Sequence, residues 1–330
     1  MLGRPSFFIA KSFLLYYDIS MEARKPSILL PFIPVPADQG CRDVFVYLRP
    51  ETNGVEVESL IMSALKEEDN DAHHIQLVYL ANFPGDFISA KGLIENHYRI
   101  KLLFSVRGKA MFTPHMQRSF KSYFRCSFKK ADIIGPYEAM KRLSLDEESL
   151  FNYWVRPDQM LNLNGQTIKK IEDFFVLNYD IPALLNKNNR ATDIAVMVFR
   201  TEGEDVDIRF MVEAIEEKLE AQGVISLLNP SSRVFHYSKG PFEELLDASG
   251  FLYDKDLKNI PLEQTSFGKY LMNYGIGEEI MMGTIRHPLM YFKKSADEYE
   301  ENDILSFTRD LPYSEALYKF QSAYSQRITR

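Results

Sequence analysis

The chain carries two cysteines, Cys41 and Cys126, in 330 residues. Two thiols give no disulfide framework and no cysteine-based metal spacing, and they fit a reducing cytoplasm. The chain also lacks GxGxxG, GxxxxGK(S/T) and GxSxG runs and any His-based metal motif. A P-loop, a dinucleotide fingerprint and a nucleophile elbow are therefore not expected. Neither a cofactor nor a metal is expected. Long apolar runs are missing too. FFIAKSFLLYY (7–17) is interrupted by Lys11 and is too short to span a bilayer. No small-x-small cleavage site follows it, because Asp18-Ile19-Ser20 comes next. Met21 then opens MEARKPS, so translation is expected to start at Met21, or residues 1–25 form a peripheral extension. No membrane partner is expected.

One further absence is local. Asn96 to Ala131 contains no Asp or Glu, yet holds nine Lys or Arg. The whole chain is acidic at −7, so the remainder carries −16 without this segment.

What is present is an ordinary globular composition, 45% hydrophobic and 26% charged, which argues against disorder. Length favours two domains. Self-comparison supports that reading. PHMQRSFKSY (114–123) matches PLEQTSFGKY (261–270) at an offset of 147. RPETNGVEV (49–57) matches RTEGEDVDI (200–208) at 151, and KGLIE (91–95) matches KGPFE (239–243) at 148. Three collinear blocks with similar offsets point to a tandem duplication.

Both halves read alike. DVFVYLR (43–49) and DIAVMVFR (193–200) are apolar, β-branched runs that read as buried strands. Helices are expected over 55–69 and 206–223, the second from the spacing of Phe210, Met211, Ala214, Ile215 and Leu219. IQLVYLANF (75–83) and VISLL (224–228) read as second strands. The pattern implies a βαβ unit with adjacent parallel strands. ADIIG (131–135) and EEIMMG (278–283) read as later strands, QTIKKIEDFF (166–175) as a connecting helix. PSILLPFIPVPAD (26–38), with four prolines, should run extended. Leu317, Phe320 and Tyr324 are expected on one face of a C-terminal helix. The expected fold is α/β (α+β): two tandem homologous β-α-β-containing domains from internal duplication, 26–154 and 193–330, joined by a helix and linker at 155–192.

The basic segment supplies the main candidate site. As a helix over 115–130, it places Met116, Phe120, Tyr123, Phe124 and Phe128 on one stripe. Those aromatics read as core, not as a base-stacking platform. Arg118, Lys121, Arg125 and Lys129 fall on the opposite face. The second half has Thr265, Gly268, Met272 and Ile276 at the matching offset, so the fold does not need these charges. They form either a solvated face turned to the acidic remainder or a site for phosphate or an acidic surface.

Other candidates are weaker. Lys91 and Lys239 precede expected helix starts, and Arg233 lies in NPSSRVFHYSKGP (229–241), a loop suited to an anion at a helix N-terminus. Arg49 and Glu51 sit at the end of the first strand, where open α/β sheets bind ligands, or they pair with each other. His73-His74 follow an acidic run but point to opposite sides of an extended chain. His97, His115, His236 and His287 are scattered. The leading expectation is a cytoplasmic, non-enzymatic binding or regulatory protein for a phosphorylated small molecule or an acidic partner, held by the basic face or the interdomain crevice. The alternative is a phosphate- or nucleotide-handling enzyme with a degenerate second repeat, in which Arg49, Glu51 and Lys91 orient the substrate. Nucleic-acid binding is third, because a remainder at −16 repels a duplex.

Overall fold

A computed structural model of the protein describes residues 23–36, 40–70, 74–227, 229–295 and 298–326. Expectations for residues 1–22 and for His73 lie outside them. The described strands in chain order are β1 (Ser27–Leu30), β2 (Cys41–Leu48), β3 (Ile75–Pro84), β4 (Asp132–Ile134), β5 (Met160–Leu163), β6 (Gln166–Ile171), β7 (Phe174–Leu177), β8 (Asp193–Glu202), β9 (Phe235–Tyr237), β10 (Leu289–Lys293), β11 (Tyr299–Asp303) and β12 (Ala323–Gln326).

The two apolar runs become the inner strands of the main sheet. All eight residues of β2 are buried, and so is most of β8. The strand order is β1-β3-β8-β2-β9, with every neighbouring pair antiparallel. Helices cover both faces, which is why the runs are continuously apolar instead of alternating. On one face Val44, Val46, Met197 and Phe199 pack against Ile61, Leu65, Met211 and Ile215 of the helices Val55–Glu68 and Arg209–Ala221. On the other, Phe45, Tyr47, Val196 and Val198 pack against Phe242, Leu245, Phe251 and Phe267. Each such buried side chain contributes about 1.5–3 kcal/mol.

This topology corrects the expected βαβ unit. β2 and β3 do run in the same direction, but β8 from the other half lies between them. The 55–68 helix therefore links strands that are not neighbours. Among the described residues the one parallel pair is β4 with β7, in a second sheet ordered β4-β7-β6-β5. A third sheet runs β11-β10-β12. Mostly antiparallel strands with helices on their faces make the fold α+β.

Four other local expectations are overturned. QTIKKIEDFF forms the antiparallel strands β6 and β7, turning at Glu172-Asp173 with Glu172 in the left-handed region at φ 50. Its apolar residues Ile168, Ile171, Phe174 and Phe175 follow the helical spacing, but Ile168 and Ile171 enter two separate cores on opposite faces of the sheet. Asn164-Gly165, both at positive φ, closes the neighbouring β5–β6 hairpin, as this dipeptide favours. EEIMMG lies in the helix Glu278–Arg286, with acidic residues in its first turn and Met281, Thr284 and Ile285 inward. Residues 224–227 form no strand, and the second strand of that half is the later β9. The C-terminal helix stops at Gln321, so Tyr324 falls in β12 and is exposed, while Leu317 is buried.

β6 carries a titratable group with a testable consequence. Lys169 is buried; its Nζ donates to the carbonyls of Phe151 at 3.0 Å and Tyr153 at 2.8 Å. Burial pulls its ammonium from 10.5 down to about 8, against the opposing pull of Asp180. The folded chain therefore loses this proton before the unfolded chain does. The penalty for burying the charge is full below pH 8 and is relieved as pH rises from 8 to 10.5. Wild-type stability is expected to rise relative to Lys169→Met over that window. Urea unfolding of both proteins at pH about 7 and about 10 checks it, and a constant gap between them contradicts it.

Candidate functional site

The basic segment folds as the helix Pro114–Phe124, capped by the Thr113 hydroxyl, which accepts from the Met116 amide at 3.1 Å. Pro114 occupies the first turn, where its missing N–H costs nothing. The helix ends earlier than the expected 130, because Arg125 adopts the left-handed region at φ 52. Met116, Phe120 and Phe128 are buried as expected, and Phe124 is partly buried. Tyr123 is not: it is exposed and donates its hydroxyl to the Met160 carbonyl at 2.6 Å.

Arg118, Lys121, Arg125 and Lys129 all line one open groove of about 650 Å³. All four are exposed, and among the described residues none makes an ion pair. The early helix end does not scatter them, since residues 125–129 turn back along the same groove. Lys109 supports the turn from behind, donating to the carbonyls of Lys129 at 2.9 Å and Ala131 at 2.8 Å.

The remaining sequence candidates each have their own neighbours. Arg49 is half-buried, donates to the Ser232 carbonyl at 3.3 Å, and interacts with the Tyr98 hydroxyl. Glu51 is ion-paired with Lys187 and not with Arg49. Arg200, the counterpart of Arg49 at the offset of 151, grips Asp43 through two bonds, Nε at 2.7 Å and Nη2 at 3.0 Å. Lys91 is exposed, with its ammonium 5.9 Å from the Phe87 ring. Arg233 is held by Glu148 at 3.3 Å and by Asn152. Lys239 is half-buried beside Tyr237 and Glu243, and burial lowers its ammonium. Arg49, Glu51 and Lys91 are thus each engaged by a different neighbour: Ser232, Lys187 and the Phe87 ring.

A second locus has no counterpart in the sequence reading. A cavity of about 690 Å³ lies where residues 93–101, 165–166 and 243–309 meet. His97 and Glu243 are on its wall. His97 ends the short helix Leu93–His97; His236 is in β9, opposite Tyr47 of β2 and stacked on its ring at 4.4 Å. Asp247 and Glu243 stand four residues apart on one face of the helix Pro241–Phe251. His97 Nδ1 lies 3.4 Å from Asp247 Oδ1, and His236 Nε2 lies 3.5 Å from Asp247 Oδ2 and 3.6 Å from Glu243 Oε1.

Burial dominates the electrostatics of this cluster. It pushes the His97 imidazole down to about 4, with Arg49 and Lys101 adding to the effect. It pushes His236 further below the usual range, again with help from Arg49. Burial likewise raises the carboxyls of Asp247 and Glu243. Both imidazoles are neutral at pH 7, so the close His–Asp approaches are not charge pairs. His97 and His236 are 139 positions apart in the chain, and no spacing rule joins them. The legible part was Glu243 and Asp247 at helical spacing.

His74, the described member of the adjacent histidine pair, meets Asp69 at 3.1 Å on the surface. No described helix is long and apolar enough to cross a membrane. Comparison with protein-family models, curated proteins and solved structures finds no match.

Proposed function

We propose that this chain is a non-enzymatic cytoplasmic binding or regulatory protein whose ligand carries clustered negative charge: a phosphorylated small molecule or an acidic protein surface. One observation carries the reading. Four exposed cations, Arg118, Lys121, Arg125 and Lys129, line one groove of about 650 Å³ without any described ion pair. Contact with the chain's own acidic half would have paired them. A concave surface of one sign focuses potential and raises the local concentration of an anion. The rigid helix beneath, anchored by Phe120, pre-organises the charges.

A cytoplasmic setting is supported by the two free thiols, of which Cys41 is buried with its pKa pushed up to about 12 by burial and by Asp43. Internal duplication is supported by the main sheet. β2 and β8 pair at its centre, β3 and β9 flank them from opposite halves, and the 55–68 and 209–221 helices lie side by side on one face.

Binding is tested with three probes: a polyphosphate nucleotide, a poly-glutamate peptide and a DNA duplex. The double reversal Lys121→Glu/Arg125→Glu is expected to weaken the nucleotide or the peptide by about tenfold or more at low salt. Exposed substitutions of this kind change stability by only about 0.5 kcal/mol. Unchanged affinity for both probes sinks the proposal. Tight duplex binding with a steep salt slope moves the reading to nucleic acid.

A further inference from the structure

Asp247 is fully buried, and neither of its carboxylate oxygens has a hydrogen-bond partner. His236 Nε2, also buried, has none. Buried polar atoms are normally satisfied, and an orphaned carboxylate costs far more than an orphaned carbonyl. Three such atoms side by side need an account. Hydrogen bonding does not supply it, because the separations of 3.4 Å to His97 and 3.5 Å to His236 exceed the usual bond length. An apolar contact does not supply it either.

The separations do match a coordination shell. Bonds of about 2.0–2.1 Å from a tetrahedral ion to nitrogen and oxygen place neighbouring ligand atoms about 3.3–3.4 Å apart. The donor atoms of His97, His236 and Asp247 lie within 4.8 Å of one another, and a bound ion would draw the widest-spaced of them together. We propose that His97, His236 and Asp247 bind a divalent transition ion of the zinc type. Two imidazoles and a carboxylate are a donor set suited to such ions and not to calcium or magnesium, which take oxygen shells. Glu243 Oε1, 3.6 Å from His236 Nε2, stands next to the fourth position. His97 and Glu243 also border the 690 Å³ cavity, which gives that position access to water or a small ligand. Three protein ligands with an accessible fourth place is the pattern of a site open to water or a small ligand, not of a closed structural one. Arg49, Lys239 and Arg309 lie close enough to influence the acidic pair and oppose a second cation. Binding is therefore expected to be weaker than at a thiolate site. This inference is independent of the basic groove.

The experiment uses the full chain, stripped with a chelator and titrated with Zn²⁺ by calorimetry. Co²⁺ is added separately and its visible absorption recorded. One ion per chain and cobalt bands of a tetrahedral site are expected. His236→Gln and Asp247→Asn, which keep side-chain volume, are each expected to weaken binding by about tenfold or more. Circular dichroism verifies that each variant is folded, and His97→Gln, at the cavity wall, replaces either one that is not. No stoichiometric uptake by the wild-type chain overturns the proposal. So does uptake that persists unchanged in the folded variants, which would place the ion elsewhere, as at the exposed His74–Asp69 pair.

Discussion

Asp43→Ala is expected to lower the unfolding free energy by about 3–5 kcal/mol, the usual cost of removing one partner of a buried ion pair. Asp43 and Arg200 are opposed on β2 and β8, the two strands that join the halves of the chain. The guanidinium meets both carboxylate oxygens, at 2.7 and 3.0 Å. Its remaining nitrogen donates to the carbonyls of Ile33 at 2.8 Å and Pro34 at 3.2 Å. Asp43 also accepts from the Ser266 amide at 3.1 Å, while its own amide donates to Ser266 Oγ at 2.7 Å. Alanine would strand a buried cation and orphan the Ser266 N–H together. Urea unfolding measures the loss. Asp43→Leu/Arg200→Met is expected to recover the part due to the stranded cation, but not the part due to the unpaired Ser266 N–H. A single-variant loss below about 1 kcal/mol would show that the pair is solvated in the folded protein.

Phe120→Ala is expected to destabilise by a similar amount, about 3–5 kcal/mol, through lost burial and the cavity left behind. Phe120 is fully buried on the helix that carries the basic groove. Phe124 and Phe175 pack on its ring at centroid distances of 4.9 and 4.8 Å, and Phe128 packs edge-on at 5.5 Å. The neighbouring Lys121→Glu should leave stability within about 0.5 kcal/mol and act on binding alone. The pair of variants separates the two faces of one helix. Thermal or urea unfolding of both, beside the binding titration, reads the separation directly. Equal stability losses at Phe120 and Lys121 would mean that the helix is not seated as described.

The helical period explains why this segment was readable. Its apolar stripe and its charges each recur every three or four residues, so Phe120 could be assigned to the core and Arg118 and Lys121 to the far face. The 55–68 and 209–221 helices were readable for the same reason, while β2 and β8 were readable as long continuous apolar, β-branched runs. Shorter runs were not. QTIKKIEDFF carries its apolar residues at helical spacing, and only the pairing of β6 with β5 and β7 selects the strand. EEIMMG is an apolar run whose acidic start and inward Met281, followed by Ile285 one turn later, suit a helix.

The sequence by itself determined which long segments would be buried, their helical or extended form, and the concentration of positive charge on one helix. Those are local properties, set by side-chain polarity repeating along a single backbone. Only the tertiary structure decided that β8 lies between β2 and β3, and that Arg200 pairs with Asp43. It alone brought His97, His236 and Asp247 to one point. The physical reason is that strand order and side-chain convergence depend on contacts between residues more than a hundred positions apart. Such contacts arise when the halves pack together, and they leave no periodic trace in either segment.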